Sequence, residues 1–386
     1  MPTMIVIGYR VDLDRALRRR GLDPHYIVQA PASPPPGRPC TRVADMENVQ
    51  EVLRAVLAAR LDDVAGALSV HEMGVFGAAY LRQQLDLPGN RDSKTALYFR
   101  DKFLQKSKLP PQIKRARCRY VTQDTSHADL VRDLGDVFVI KPATGAGSLR
   151  TNVVRSPEEF ARAVDVLPDQ SDVQIVAESF IDAPEVYMDG IWSDGDLLWS
   201  SMTRYHLSPL SAAHGAVLAA HILDERRHPA LFRRTEEIAR QTLSHLGAPD
   251  CVFHLEVFVE ESGLTFGECA IRLPGALSPN VNQLTFGVDL FDAEISLALG
   301  EKPEKPVGDS APDRFHGYLL LRRLDGNTLT QEDFERRFTF DEIQYSSSPD
   351  TPLGPYGRVG QAIVSDPDEL KLRQKIEDIV RFNERG

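Results

Sequence analysis

The sequence predicts a mixed fold: an α/β unit with a parallel sheet, followed by a larger α+β part. Two observations carry this. From Thr3 to about Gly89 short apolar runs alternate with amphipathic segments, a pattern that implies right-handed crossovers between parallel strands. Beyond Pro110-Pro111 the pattern turns β-rich, and two strands flank the tight turn Glu260-Glu261-Ser262-Gly263. At 386 residues the chain needs two or three packed units of roughly 100–200 residues each.

In chain order, Met4–Ile7 reads as a strand, Leu13–Arg20 as a helix stopped by Gly21, and Tyr26–Val28 as a second strand. Ala30–Pro39 holds five prolines and is a loop. Val49–Arg60 places Val49, Val52, Leu53, Val56 and Leu57 at helical spacing; Val64–Val70 is a strand and Val75–Leu85 a helix. Asp92–Leu109 is expected as one continuous helix ended by the two prolines. Strands follow at Val137–Lys141, Thr151–Val154, Gln174–Ala177 and Val186–Trp192, then a helix at Leu231–Leu246 closed by Gly247. The hairpin strands are Val252–Val259 and Leu264–Ala270. From about Ala311 a small α+β lobe is expected, with a strand at Tyr318–Leu321, a helix at Gln331–Arg337, a strand at Ile343–Ser346 and a closing helix at Pro367–Phe382.

Composition narrows the function classes. With 42% hydrophobic and 26% charged residues the chain is an ordinary globular one, which excludes a disordered or fibrous protein. A net charge of −11 disfavours nonspecific binding to nucleic acid or to an anionic membrane, but leaves room for a local phosphate site. Cys40, Cys118, Cys251 and Cys269 form no CxxC pair and read as free thiols of a reducing compartment. No uncharged apolar run approaches about 18 residues, and the N-terminal run is cut by Arg10 and Asp12, so a cytoplasmic protein is expected.

The hairpin carries the strongest chemical signal. If its turn centres near Ser262, Glu256 and Glu268 stand opposite one another on one face, and like charges there repel unless a cation lies between them. Mg²⁺ bridging phosphates would make the pair favourable; solvated glutamates on an exposed edge are the plain alternative. His254 shares the parity of Glu256 and is expected as a neutral supporting histidine. Arg272 precedes a Pro-Gly turn and can clamp a phosphoryl or carboxylate oxygen, or simply face water.

Lys141 ends a buried strand, and the small residues Ala143 to Ser148 follow it, so its loop can bring backbone N–H groups close to phosphates. It is no Walker A loop, because the lysine precedes the glycines and a strand follows them. Alone, such a turn is most often a plain hairpin. Glu178 closes a strand where it can read an adenine edge, and Glu185 one loop later can hold ribose hydroxyls; each alone is an ordinary loop residue. Lys102 alone reads as a solvated helix face. No GxGxxG opens the first helix, so a nicotinamide site has no support.

Taken together, Asp101-Lys102, Val139-Ile140-Lys141-Pro142 with its glycine loop, Glu178-Ser179-Phe180-Ile181, Glu185 with Asp189-Gly190, and Phe253-His254-Leu255-Glu256 leading to Glu268 and Arg272-Leu273-Pro274-Gly275 follow a specific order. In that order and spacing the sequence resembles the ATP-grasp superfamily and, within it, the carboxylate–amine (amino-acid) ligases. The resemblance implies a Rossmann-like pre-grasp domain over 1–91, a linker helix and small lid subdomain over 92–190, and a large subdomain with metal hairpin and C-terminal lobe over 191–386. It implies that Lys102 and Lys141 bind ATP phosphates beneath the loop of Gly145, Gly147 and Ser148. Glu178, Ser179, Phe180 and Ile181 would hold adenine and Glu185 the ribose. Glu256 and Glu268 would hold Mg²⁺ or Mn²⁺, while Lys141 and Arg272 act on the transferring phosphoryl group.

Two positions depart from the family pattern: Ala270 stands where an Asn usually follows the second metal glutamate, and Ala183-Pro184 where a glycine often precedes the ribose glutamate. The implied reaction joins a small carboxylic or amino acid to an amine through an acyl phosphate, releasing ADP and phosphate. A nucleotide-binding module without catalysis, or a ligase acting on a carrier protein or peptide, is the alternative. Homodimers are common in such enzymes, though no stripe here demands one. A substrate lid is expected between Ser200 and Leu223, with Arg204 or Arg272 gripping a carboxylate and His214 nearby; Arg322 and Arg323 can face the site or face water, and water is the expectation.

Overall fold

In the structure, a computed structural model, residues 1–30, 32, 37–165, 174–304, 312–323, 329–346 and 358–385 are described. Pro31 and residues 33–36 of the proline-rich loop lie outside them, as does Ala311, where the C-terminal lobe was expected to begin.

The first unit runs β1 (Thr3–Ile7), α1 (Val11–Arg19), β2 (Asp23–Gln29), β3 (Cys40–Val43), α2 (Val49–Ala59), β4 (Val64–Ser69) and α3 (Val75–Gln84). All pairings are parallel, in the order β3-β2-β1-β4, as the alternation predicts; only β3 was not anticipated. α1 carries Asp12 and Asp14 in its first turn and Arg18 and Arg19 in its last, each sign opposing the helix dipole, and buries Leu13, Ala16 and Leu17. The Asn48 side chain caps α2 by accepting the Glu51 N–H.

The expected single helix over 92–109 is two: α4 (Ser93–Tyr98) and α5 (Lys102–Lys108). The Asp101 carboxylate accepts the Leu104 N–H at 2.8 Å and starts the second helix afresh. The Lys102 N–H is thereby free to donate to the Ala143 carbonyl at 3.0 Å. The break turns Arg100 and Lys102 inward, which an unbroken helix would not do.

A small antiparallel sheet follows, built from β5 (Cys118–Val121), α6 (His127–Leu134), β6 (Phe138–Pro142), β7 (Asn152–Val154), α7 (Pro157–Asp165) and β8 (Ile175–Ser179), in the order β5-β8-β6-β7. It has its own core, with Leu130, Phe138, Ile140, Val154 and Ala177 buried together.

The remainder forms one eight-stranded antiparallel sheet. Its elements are β9 (Glu185–Ser193), β10 (Asp196–Tyr205), α8 (Pro209–Ala213), β11 (Leu218–Ile222), α9 (Pro229–His245), β12 (Cys251–Glu260), β13 (Gly263–Ala270), α10 (Ser278–Phe286), α11 (Leu290–Ala298), β14 (Phe315–Arg322), α12 (Gln331–Arg337), β15 (Glu342–Tyr345), β16 (Arg358–Asp366) and α13 (Glu369–Arg385). The order is β13-β12-β9-β10-β11-β14-β16-β15.

Three expectations change here. β9 crosses the boundary expected at 190/191, because its residues pair with β10 and β12 from Glu185 onward. The C-terminal lobe is no separate lobe: β14 pairs with β11 and carries β16 and β15 onto the same sheet. The expected lid at 200–223 is strand at both of its ends, in β10 and β11, and only the segment around α8 between them is left to line the cleft as a lid would.

The first unit is fastened to the large sheet by a shared core of Leu13, Leu17, Leu273, Phe291 and Ile295. The Arg10 guanidinium adds two bonds, to the Pro274 carbonyl at 2.8 Å and the Ala276 carbonyl at 2.6 Å. Among the described residues no helix is long and apolar enough to cross a membrane.

Candidate active site

The three sheets meet around a cleft of about 570 Å³. β6 brings Lys141 to it and β8 brings Glu178, whose register against Val139 sets both side chains on one face. Lys141 Nζ lies 2.8 Å from Glu178 Oε2, and Lys106 Nζ lies 3.0 Å from Glu178 Oε1. Burial alone would raise the Glu178 pKa, but the two ammonium groups hold it down to about 2. Lys106 also donates to the Gly267 carbonyl at 2.7 Å. Lys102 donates to the Gly145 carbonyl at 2.6 Å and stands 3.0 Å from Glu268 Oε1. Three lysines therefore enter the cleft, Lys102 and Lys106 buried and Lys141 half-buried, each held by oxygens that phosphates can replace.

Lys106 was missed, though a lysine four residues after Lys102 shares its helix face and is the signal that could have found it. Both Glu178 carboxylate oxygens face lysines, and Oε1 also accepts from the Cys118 thiol at 3.8 Å. The Ser179 and Phe180 N–H groups are also engaged, with the carbonyls of Arg117 and Val137. Ser179, Phe180, Ile181, Gly145, Gly147 and Ser148 all line the cleft. Gly147 and Ser148 both adopt positive φ, 58° and 54°, a bend in which successive N–H groups can point to one side.

Glu256 and Glu268 are register partners, as expected, although the turn is not where it was placed. The two-residue turn pairs Glu260 with Gly263, so its centre lies between Glu261 and Ser262. Val257 then pairs with Phe266, and a bulge at Gly267 supplies the extra residue that sets Glu268 opposite Glu256. A Cβ at Gly267 would come 3.0 Å from the Glu256 carbonyl, which suits the position to glycine. Glu185, on the neighbouring strand, is a third carboxylate and is buried where the hairpin pair is half-buried; burial and then the Glu256 charge push its pKa well above the ordinary range. Such crowding of hard oxygen donors favours a divalent cation. Among the described residues no three His, Cys, Asp or Glu side chains are grouped closely enough to hold a metal ion by themselves.

His254 differs from its expected neutral state. Its Nδ1 lies 2.7 Å from Asp189 Oδ1 and its Nε2 3.3 Å from Glu256 Oε1. Burial opposes the charge, but the two carboxylates prevail and raise its pKa to about 9. Asp189, fully buried, also accepts from Ser278 and Asn282. Ala270 is the cross-strand partner of His254, so a methyl group faces an imidazolium where the family pattern has an Asn.

Arg272 enters the cleft with its Nε donating to Glu72, and its Nη1 donates to the Leu273 carbonyl at 2.7 Å. Glu72 follows β4 at the carboxyl end of the parallel sheet, where open sheets present ligand-binding residues. Burial works against its charge, but Arg272 and Arg100 hold its pKa down to about 2. Arg100 in turn donates to Glu47 at 2.7 Å and to the Thr144 carbonyl at 2.5 Å, tying the glycine loop to the first unit. Neither Glu72 nor Arg100 was anticipated, the latter because it was read as mid-helix.

Of the expected substrate residues, His214 and Arg272 line the cleft and Arg204 does not. Strand alternation explains this: Tyr205 points to the cleft and donates to Glu256 at 3.4 Å, so Arg204 faces the other side. There it is paired across the strands with His221, which bonds His206 at 3.0 Å. Arg322 and Arg323 are half-buried; Arg322 donates to the Ala212 carbonyl at 3.1 Å and so supports α8, and Arg323 donates to the Ser346 carbonyl.

No family model matches the chain. It is 24% identical over 247 residues to an L-arginine-specific L-amino acid ligase of Bacillus subtilis, a match covering 62% of this chain and 59% of that ligase, so the chain spans only that share of its relative's length. Among solved structures, an L-amino acid ligase from Bacillus licheniformis matches 100% of this chain and 97% of its own, with a TM-score of 0.76 at 19% identity. A carboxyaminoimidazole ribonucleotide synthase from Aspergillus clavatus, solved with ATP, matches 100% of this chain and 98% of its own, with a TM-score of 0.76 at 15% identity. At these identities the likeness establishes the fold.

Proposed function

The chain has the ATP-grasp fold, and from that premise we propose that it is an ATP-dependent ligase joining a small carboxylic or amino acid to an amine, with release of ADP and phosphate. The observation that carries this reading is the convergence of Lys102, Lys141, the Glu256/Glu268 pair and Arg272 on one cleft. ATP phosphates would take over the lysines from Glu178, Glu268 and the Gly145 carbonyl. The segment from Glu178 through Ile181, which lines the cleft, would hold the adenine and Glu185 the ribose. Mg²⁺, or Mn²⁺ in its place, would be held by Glu256 and Glu268 and would neutralise phosphate charge.

The substrate carboxylate attacks the γ-phosphorus, the bond to the β,γ-bridging oxygen breaks, and ADP leaves. Lys141 and Arg272 stabilise charge on the transferring phosphoryl group. The amine then attacks the acyl carbon and phosphate departs. Closure of the glycine loop keeps water from the acyl phosphate. We place the reaction in the cytoplasm, in keeping with four free cysteines.

ADP release from Mg-ATP, measured against pooled acids and amines, tests the reading. A rate that depends on one acid and one amine supports it. ATP binding without acid-dependent ADP release would favour a non-catalytic module or a macromolecular acceptor.

A further inference from the structure

Beyond the hairpin and Arg272, the cleft continues beneath the segment that carries α8. Its wall there is Tyr205, Pro209, Leu210, Leu218, Ala276 and Tyr318. This wall is firmly built. Ser208 caps α8 by accepting the Ser211 N–H at 3.2 Å, and Arg322 holds the Ala212 carbonyl from behind. Ala212, Leu218 and Leu320 pack as a cluster with Tyr205 and Ala276 against it. The Tyr205 hydroxyl is turned to Glu256, so its ring faces the remaining space, 4.8 Å from the Tyr187 ring.

The ionisable groups at this end are few. Glu256 belongs to the proposed metal pair, Arg272 to the carboxylate and phosphoryl side, His254 beside the Tyr187 ring has both ring nitrogens engaged by Asp189 and Glu256, and His214 sits exposed at the rim. Among the described residues no further carboxylate lines this part of the cleft to meet a guanidinium or ammonium side chain, and no further cation with a free donor to meet a side-chain carboxylate. A charged side chain entering it would lose its water without gaining a partner, whereas an apolar or aromatic one would gain contact along the whole wall.

Resting on the ligase reading above, we propose that this end of the cleft is the side-chain subsite for the organic substrate, and that it selects an uncharged apolar or aromatic amino acid. The subsite lies beside the carboxylate pair, so a side chain held there leaves the reacting group at the phosphoryl end.

Isothermal titration of the protein with leucine, phenylalanine, arginine and glutamate, in Mg²⁺ and a non-hydrolysable ATP analogue, tests the proposal without turnover. Leucine or phenylalanine should bind at least about tenfold more tightly than arginine or glutamate. Equal or tighter binding of a charged amino acid, or no binding of either apolar one, overturns it. Leu210→Glu, on the half-buried face of α8, should weaken leucine and strengthen arginine while the ATP analogue binds as before. A preference unmoved by this change also overturns the assignment. Selective binding with no acid-dependent ADP release from ATP would instead defeat the ligase reading and leave the subsite standing.

Discussion

Glu256 and Glu268 stand opposite one another because Gly267 adds one residue to its strand. Without that bulge Glu268 would shift out of register and its carboxylate would leave the face shared with Glu256. The same residue offers its carbonyl to Lys106, so one irregular position sets both a carboxylate and a lysine.

Glu268→Gln keeps the shape but removes the charge that faces Lys102 at 3.0 Å. ADP release should fall about 100- to 1,000-fold, while the thermal midpoint changes little. Unchanged turnover would remove Glu268 from the proposed metal pair.

Lys106 shares Glu178 with Lys141. Lys106→Met should raise the KM for ATP about tenfold with a smaller change in kcat, and Lys106→Arg should recover most of the loss. Equal KM values in wild type and Lys106→Met would make Lys106 a packing residue only.

The pKa of His254 lies near 9, above its ordinary value of 6.5, so its ion pairs contribute stability that is fully present below about pH 6.5 and lost as pH rises through about 9. Titration of the metal-free protein, followed by the imidazole nitrogen shifts in NMR, should give a midpoint near 9. His254→Gln should flatten the fall in stability between those two pH values. A midpoint below 7 would contradict the imidazolium assignment.

Gly190 sits between β10 and β12, where an added Cβ would meet the Phe253 ring at 2.5 Å and the Trp199 carbonyl at 2.7 Å. Gly190→Ala should destabilise the large unit by about 1–3 kcal/mol, read from the denaturant midpoint. A midpoint within error of wild type would mean the sheet can open there without loss.

Periodicity in the sequence is enough for β1, β2 and β4 of the parallel unit, short apolar runs flanked by amphipathic helices, but not for β3, whose Cys-Thr-Arg-Val is no apolar run. It was enough for the carboxylate pair only by chance compensation: a turn placed half a residue late was offset by a bulge no pattern announces. The helix break before Asp101 was hidden because Phe99 and Arg100 are acceptable helix residues, and the contact that favours the break, Lys102 to Ala143, joins distant segments. The misplacement of Arg204 had a local remedy. Reading Asp196–Tyr205 as a strand would have put Arg204 and Tyr205 on opposite faces. The union of the C-terminal strands with the large sheet depends on β11 pairing with β14 about a hundred residues later, which local periodicity does not encode.

The most direct test of the central claim is trapping with hydroxylamine. The protein is incubated with Mg-ATP, hydroxylamine and one acid at a time, and hydroxamate and ADP are measured together. An acyl phosphate intermediate predicts hydroxamate and ADP in equal amounts with a particular acid, and neither with Glu268→Gln. Amide formed from that acid and an amine with AMP and pyrophosphate as products, or ADP formed without hydroxamate, would contradict it.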